Sequence, residues 1–408
     1  MEKKYSVYIH IPFCISKCRY CDFFSVPCSD RKTLVPDEYI NALCNEMTRL
    51  SGITVDTVYV GGGTPSLLKP YQIQKLFDSL CRVCHLDDNA EITFEVNPDD
   101  VSKEFIEALK AAGVNRISCG IQSMNDKALG FAGRRADSTA NKKALELFKQ
   151  YWNKALSLDF ICGLPEETEE SFISGLSEAV SYSPSHISMY SLTIEKETPF
   201  GCDLEAGKYQ YDYDFADKLW LKGRDFLEKH NYMQYEVSNF ALGGAGSACR
   251  HNLAYWSHKD YFGLGSGATG TIYTEGGEGL RQTNTSDINE YINWWLSSDS
   301  RWLSSRPQTG VSKPPILKPS VSNPQFPQLS EKIDVSTSEF EFFMMGLRKL
   351  EGISQTEYEK IFNSPLPPEF IELFNKWKKK GLCHKINERY ALNQEGILFL
   401  NSFLEGLL

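Results

Sequence analysis

In the first half of the chain, apolar residues alternate between two spacings. Short runs rich in β-branched and aromatic residues at 7–11, 55–60, 91–96, 116–121, 156–162 and 186–192 read as strands. Between them, apolar residues three and four apart read as helices at 36–50, 70–84, 102–112, 136–151 and 168–181. In the first of these, Tyr39, Ile40, Leu43 and Met47 share one face. Ser102 is placed as an N-cap and Gly113 as a helix stop.

Six strands alternating with helices predict an α/β fold built on a parallel sheet. Six βα units fall short of the eight that close a full barrel, so a partial (β/α)6 barrel is expected, with additional β/α elements after it. Residues 209–231 read as a further helix, and the glycine- and aromatic-rich stretch 232–300 as strands and turns. Residues 301–330 carry prolines at 307, 314, 315, 319, 324 and 327 among many serines, and read as a linker or long loop. Residues 334–408 read as a small helical, winged-helix-like domain with a short strand at 389–392. The expected division is 1–230 for the partial barrel, 231–300 for its extension, 301–333 for the linker and 334–408 for the C-terminal domain.

Composition narrows the class. Over 408 residues, 41% hydrophobic and 24% charged positions suit a globular chain and exclude a disulfide-stapled miniprotein or a mainly disordered one. With 43 Lys and Arg against 53 Asp and Glu, the formal charge is −10, which argues against nucleic-acid binding by bulk positive charge. The run Lys376, Lys378, Lys379, Lys380 reads as a solvated helix face. No apolar window is long enough to span a membrane, and Met1–Ser6 lacks the apolar stretch of a secretion signal. A cytoplasmic location is therefore expected, with most of the 12 cysteines reduced.

The sharpest chemical signal is Cys14-Ile15-Ser16-Lys17-Cys18-Arg19-Tyr20-Cys21, a C-x3-C-x2-C run in the loop after the first strand. Three thiolates at this spacing can face one small volume and suit an iron–sulfur cluster. The alternatives are a zinc ion, with Cys28 or His10 as fourth ligand, and buried free thiols. Cys81-Arg82-Val83-Cys84 is a CxxC on a helix with no strand before it, and reads as core or surface thiols. Other candidates lie at strand ends, where partial barrels collect their chemistry. They are the Gly61-Gly62-Gly63-Thr64-Pro65 turn, Glu95, Gln122, Arg134 and Asp159, the last inside an otherwise apolar strand. Taken singly, the turn reads better as a tight bend, and Glu95 has the alternative of a loop acid.

The cysteine run, with Tyr20 before its last cysteine and Tyr8-Ile9-His10-Ile11-Pro12-Phe13 leading into it, resembles the radical S-adenosylmethionine (SAM) superfamily. Within it, the chain is similar to the group that holds anaerobic coproporphyrinogen dehydrogenase and the HemW-type haem chaperones. The resemblance implies a [4Fe–4S] cluster on Cys14, Cys18 and Cys21, leaving one iron for the amino and carboxylate groups of SAM. An electron through the cluster then breaks a C–S bond of SAM. It also implies SAM contacts from Tyr8, Tyr20, Gly62, Gly63, Thr64, Glu95, Gln122, Arg134 and Asp159.

Two features favour the chaperone branch over the dehydrogenase. The motif starts at residue 14, without the extension typical of the dehydrogenase, and Asp22-Phe23-Phe24 after Cys21 lacks its further cysteine. His251-Asn252-Leu253-Ala254-Tyr255-Trp256, which by itself reads as a hydrogen-bonded loop histidine with two packing aromatics, matches the HNxxYW motif of the chaperones, and that resemblance implies haem as a third bound group with His251 as its ligand. Residues 263–270 depart from the related pattern, with Ser266 and Thr269 where proline and histidine are common; His258 reads as a solvated neighbour. The implied partners are haem, haem-acceptor proteins and an electron donor for the cluster, with homodimerisation left open and no nucleic acid.

Overall fold

The computed structural model describes residues 3–28, 34–297 and 328–408. Strand β1 (Lys4–Ile11) is buried on both faces over nearly its whole length, as a central strand of a parallel sheet must be. Beside it lie β2 (Thr54–Gly62), β3 (His85–Val96), β4 (Arg116–Gln122), β5 (Ala155–Cys162) and β6 (His186–Ser191), in chain order and all parallel. These are the six strands that the period-2 and apolar runs predict.

The crossovers are α1 (Asp37–Glu46), α2 (Pro70–Val83), α3 (Lys103–Ala111), α4 (Asp126–Ala132), α5 (Ser138–Tyr151) and α6 (Glu169–Ser181). Ser102 caps α3 by accepting from the Phe105 N–H, and Thr168 caps α6 by accepting from the Ser171 N–H. The helix α4 escaped prediction because seven residues are too few to display a helical period.

After β6 come α7 (Pro199–Glu205), α8 (Tyr213–Lys229), β7 (Tyr232–Gln234), β8 (Asn239–Leu242), α9 (Arg250–Trp256), β9 (Tyr261–Leu264), β10 (Thr269–Tyr273), β11 (Gly279–Asn284), α10 (Ile288–Leu296) and β12 (Gln328–Ile333). Together the strands make one twelve-stranded sheet in the order β12-β11-β10-β9-β1-β2-β3-β4-β5-β6-β8-β7. β9 runs parallel to β1, adding a seventh parallel strand; the outer pairs are antiparallel. The sheet is open, with β12 and β7 at its edges.

One boundary needs correction. Residues 328–333, expected to be linker, form β12 and pair with β11 from Gln328 to Ile333. Four of its six residues are exposed, so an edge strand of this kind shows no apolar period, and only pairing reveals it. The proline-rich stretch before it lies outside the described residues.

The C-terminal part comprises α11 (Val335–Gly346), β13 (Ile353–Ser354), α12 (Gln355–Phe362), α13 (Pro368–Lys379), β14 (Cys383–Ile386), β15 (Arg389–Leu392) and α14 (Leu400–Glu405). Its strands form a separate antiparallel sheet, β13-β15-β14. It has its own aromatic core, including Phe342, Phe343, Tyr358, Phe370, Phe374 and Phe403. It docks on the large sheet through Arg281–Glu341 (2.8 Å), the Leu350 N–H to Tyr235 carbonyl bond (3.0 Å) and Lys349 Nζ to Ser257 Oγ (3.0 Å). Among the described residues, no helix is long and apolar enough to cross a membrane.

Candidate functional site

A parallel sheet directs the loops after its strands toward one end, and there a cavity of about 500 Å³ opens. Of the thirteen residues singled out from the sequence, eleven line it: Cys14, Cys18, Tyr20, Cys21, Gly62, Gly63, Thr64, Glu95, Gln122, Arg134 and Asp159. Tyr8 and His251 do not; they lie one layer behind the wall.

The cysteine loop is held at several points. Phe13–Cys14 pairs with Val26–Pro27, and the Cys28 N–H donates to the Cys14 carbonyl at 2.7 Å. The middle of the loop is pinned by Arg19. Its N–H donates to the Ala132 carbonyl at the end of α4, its guanidinium pairs with Asp203 of α7 at 2.6 Å, and it lies over the Phe131 ring at 4.5 Å. Cys14 Sγ accepts from Thr64 Oγ1 at 3.3 Å, and Cys18 Sγ lies 3.7 Å from the Arg134 guanidinium.

The fourth ligands considered for zinc are turned elsewhere. Cys28 directs its thiol at the Leu34 carbonyl, 3.0 Å away. His10 has both ring nitrogens in use, Nδ1 with Tyr8 Oη at 2.8 Å and Nε2 with the Phe24 carbonyl at 3.0 Å; burial lowers its pKa to about 4, so the ring is neutral. Among the described residues, no group of three His, Cys, Asp or Glu side chains gathers closely enough for a single metal ion. Three cysteines spread around one cavity, with a cation and a hydroxyl beside two of them, suit the separated iron corners of a cluster.

The second strand ends against this loop. Gly62 has φ +118°, and a Cβ there would lie 2.6 Å from the buried His10 ring. At Gly63 a Cβ would sit 2.8 Å from the Phe13 carbonyl oxygen and 3.0 Å from Cys14 Sγ. The glycines let the β2 turn lie directly on the cysteine loop.

Glu95 ends β3 with one carboxylate oxygen accepting from Tyr59 Oη at 2.8 Å and the other from the Gly62 N–H at 3.1 Å. Burial raises its pKa to about 7, Asp159 adding to the effect and the two hydrogen bonds opposing it. Asp159 on β5 is likewise raised by burial and is held by Ser118 (2.9 and 3.1 Å) and Ser157 (3.4 Å). Arg134 donates to the Gly120 carbonyl at 2.7 Å and to Asn97, while its Nε is buried with no partner. Gln122 has φ +65° at a register shift in β4, and such a strained non-glycine residue is a functional signal in itself. The cavity thus joins acids, an arginine and open backbone groups beside three sulfurs. Those donors and acceptors fit the charged ends and hydroxyls of SAM, and the volume is in the range of small-molecule sites.

Sequence reasoning missed Tyr59, Asn97, Ser118, Tyr190 and Thr193, which also line the cavity. The strand-end rule could have found Asn97 and Thr193. Tyr59 and Ser118 lie inside strands and become visible only when the sheet's facing is known.

The structure also revises His251. It lies on α9 and is 1% exposed. Nδ1 is 2.8 Å from Thr57 Oγ1 and Nε2 is 3.1 Å from Tyr255 Oη; burial lowers its pKa to about 3. A haem ligand needs a free nitrogen lone pair facing open space, and this ring offers none. The 263–270 segment is likewise a buttress. A Cβ at Gly267 would lie 2.4 Å from the Phe24 ring beside the cysteine loop, and the Gly265 N–H donates to buried Glu46 at 2.7 Å. His258, expected to be solvated, is buried against Tyr273 with ring centroids 3.8 Å apart. Cys81 is exposed and Cys84 buried, both as free thiols.

Residues 8–176 match the radical SAM superfamily and residues 339–399 the HemN C-terminal domain. The chain is 33% identical to heme chaperone HemW of Escherichia coli (strain K12), over 98% of this chain and 97% of that one. It is 32% identical to heme chaperone HemW of Bacillus subtilis (strain 168), over 99% of each. Its fold is similar to that of coproporphyrinogen III oxidase (HemN) from Escherichia coli, with TM-score 0.75 and 19% identity over 99% of this chain and 90% of that one.

Proposed function

The chain belongs to the HemW family of radical SAM proteins, and from that premise we propose that it is a haem chaperone. It holds a [4Fe–4S] cluster and SAM in the strand-end cavity and passes haem to acceptor proteins. The observation that carries this reading is the meeting of Cys14, Cys18 and Cys21 with the β2, β3, β4 and β5 ends around one cavity, in a chain alike to haem chaperones over its whole length.

The three cysteines hold the cluster, which when bound supplies an open iron for SAM and a low-potential electron. The remaining work belongs to the protein. Gly62, Gly63 and Thr64 bring backbone and a hydroxyl beside the cysteine loop. Glu95 and Asp159 offer carboxylate lone pairs for hydroxyl and ammonium groups, and Arg134 offers a cation near Cys18. Gln122 and Tyr20 also line the wall. Haem is cargo, and His251 does not ligate it in this conformation. An electron donor for the cluster, the haem acceptors and a second copy of the chain are the partners this reading calls for, in the cytoplasm.

The test is anaerobic reconstitution with iron and sulfide, followed by SAM, reductant and haem. The expected result is a cluster whose electron paramagnetic resonance signal changes on SAM addition, and haem that restores activity to an apo haem enzyme. Robust decarboxylation of coproporphyrinogen III, or failure to retain haem, would overturn the chaperone reading.

A further inference from the structure

His251 is buried, yet it touches neither the cavity nor the surface. It lies face to face with Tyr59, ring centroids 5.1 Å apart and planes 28° from parallel. Tyr59 in turn donates to Glu95 at 2.8 Å, and the other Glu95 oxygen accepts from the Gly62 N–H. The chain His251–Tyr59–Glu95–Gly62 therefore runs from the HNxxYW motif to the wall of the SAM cavity.

Each link has a fixed orientation. Thr57 Oγ1 donates its proton to Ser6 Oγ at 2.8 Å, so at its contact with His251 it accepts from Nδ1–H. Nε2 then carries the lone pair and accepts from Tyr255 Oη. The start of α9 is tied to β3 by Glu91, whose carboxylate accepts from the Arg250 N–H at 3.1 Å and the His251 N–H at 2.9 Å. β3 thus carries both the acid that anchors the motif helix and, four residues on, the acid in the cavity.

We propose that His251 is a positioning residue for SAM: it backs the Tyr59 ring, which orients the Glu95 carboxylate, and it is not an axial ligand of haem. This rests on the reading that the cavity binds SAM. Outer partners that orient metal ligands are worth about 10–100-fold in affinity or activity when removed, and a loss at the low end of that range is expected for a partner that orients Glu95.

The experiment uses the cluster-reconstituted full-length protein. SAM affinity is read from the change in the reduced cluster's paramagnetic resonance signal, and haem from stoichiometry and the Soret band. His251→Ala and Tyr59→Phe are each expected to weaken SAM by about tenfold at unchanged iron and sulfide content, and the double variant by no more than either alone. Haem content and Soret position stay unchanged. If His251→Ala fails to fold, Thr57→Val removes the Nδ1 acceptor without opening the core, and the same weakening is expected. Loss of haem or a shifted Soret band in His251→Ala at normal SAM affinity would overturn the proposal, as would losses that multiply in the double variant. Absence of SAM binding in the wild-type holoprotein would overturn the cavity reading as well. Normal SAM binding by the wild type and His251→Ala alike would overturn this proposal alone.

Discussion

Replacing Glu95 by glutamine removes a charge that the fold holds at a cost. Burial raises the carboxyl pKa from 4.5 to about 7. At about 1.4 kcal/mol per tenfold change in proton affinity, that displacement is worth about 3 kcal/mol. The sign follows from proton linkage. Below pH 4.5 both folded and unfolded chains hold the proton, and there is no cost. Between 4.5 and 7 the unfolded chain ionises first, so stability falls as pH rises; above 7 the full cost is present. Glutamine has nearly the same shape, accepting from the Gly62 N–H and donating to Tyr59 Oη, which rotates its own proton away. The Glu95→Gln apoprotein should match the wild type near pH 4.5 and exceed it by up to about 3 kcal/mol at pH 8. Urea unfolding in reductant at pH 5, 6, 7 and 8 measures the gap. A difference that does not grow with pH, or a variant weaker than wild type at pH 8, would refute the claim that the buried carboxylate is strained. The same variant should bind SAM less tightly, since a stabilised wall that loses its ligand is the signature of a site residue.

Serine at Cys14, Cys18 or Cys21 should cost the reconstituted protein most of its iron and acid-labile sulfide, measured by chemical analysis, with folding by circular dichroism intact. Gly63→Ala should lower cluster retention, because the added methyl meets the Phe13 carbonyl and Cys14 Sγ; overpacking of this kind costs about 1–3 kcal/mol, read by denaturation and iron content. Arg348→Ala removes a guanidinium lying 5.1 Å from the Trp256 ring and should loosen the docking of α11 by about 0.5–1 kcal/mol, seen as faster hydrogen exchange there. Iodoacetamide at pH 8 should alkylate Cys81 and spare Cys84, whose thiol burial pushes up to about 11; mass mapping decides.

The six inner strands, most of their crossover helices and the Ser102 cap were legible in the sequence, because period and capping are local properties. So were the three cysteines and part of the cavity wall, since in a parallel sheet functional side chains fall at strand ends. Less visible was the second half of the sheet. β9 has four residues, too few to display a period, and β12 is largely exposed; each is a strand because a neighbour offers it hydrogen bonds. Tyr59 was missed for a related reason: a mid-strand tyrosine looks like core until the facing of β2 is known.

His251 and Tyr8 mark the division most clearly. The chain by itself determined the alternation of elements and the spacing of the thiols, because both depend on residues near one another along the backbone. Which polar groups face the cavity and which stand behind it was decided only by packing. Thr57, Tyr59, Glu91 and His251 come from segments up to 194 residues apart, and their hydrogen bonds exist only once the sheet and α9 close around a shared, water-poor interior.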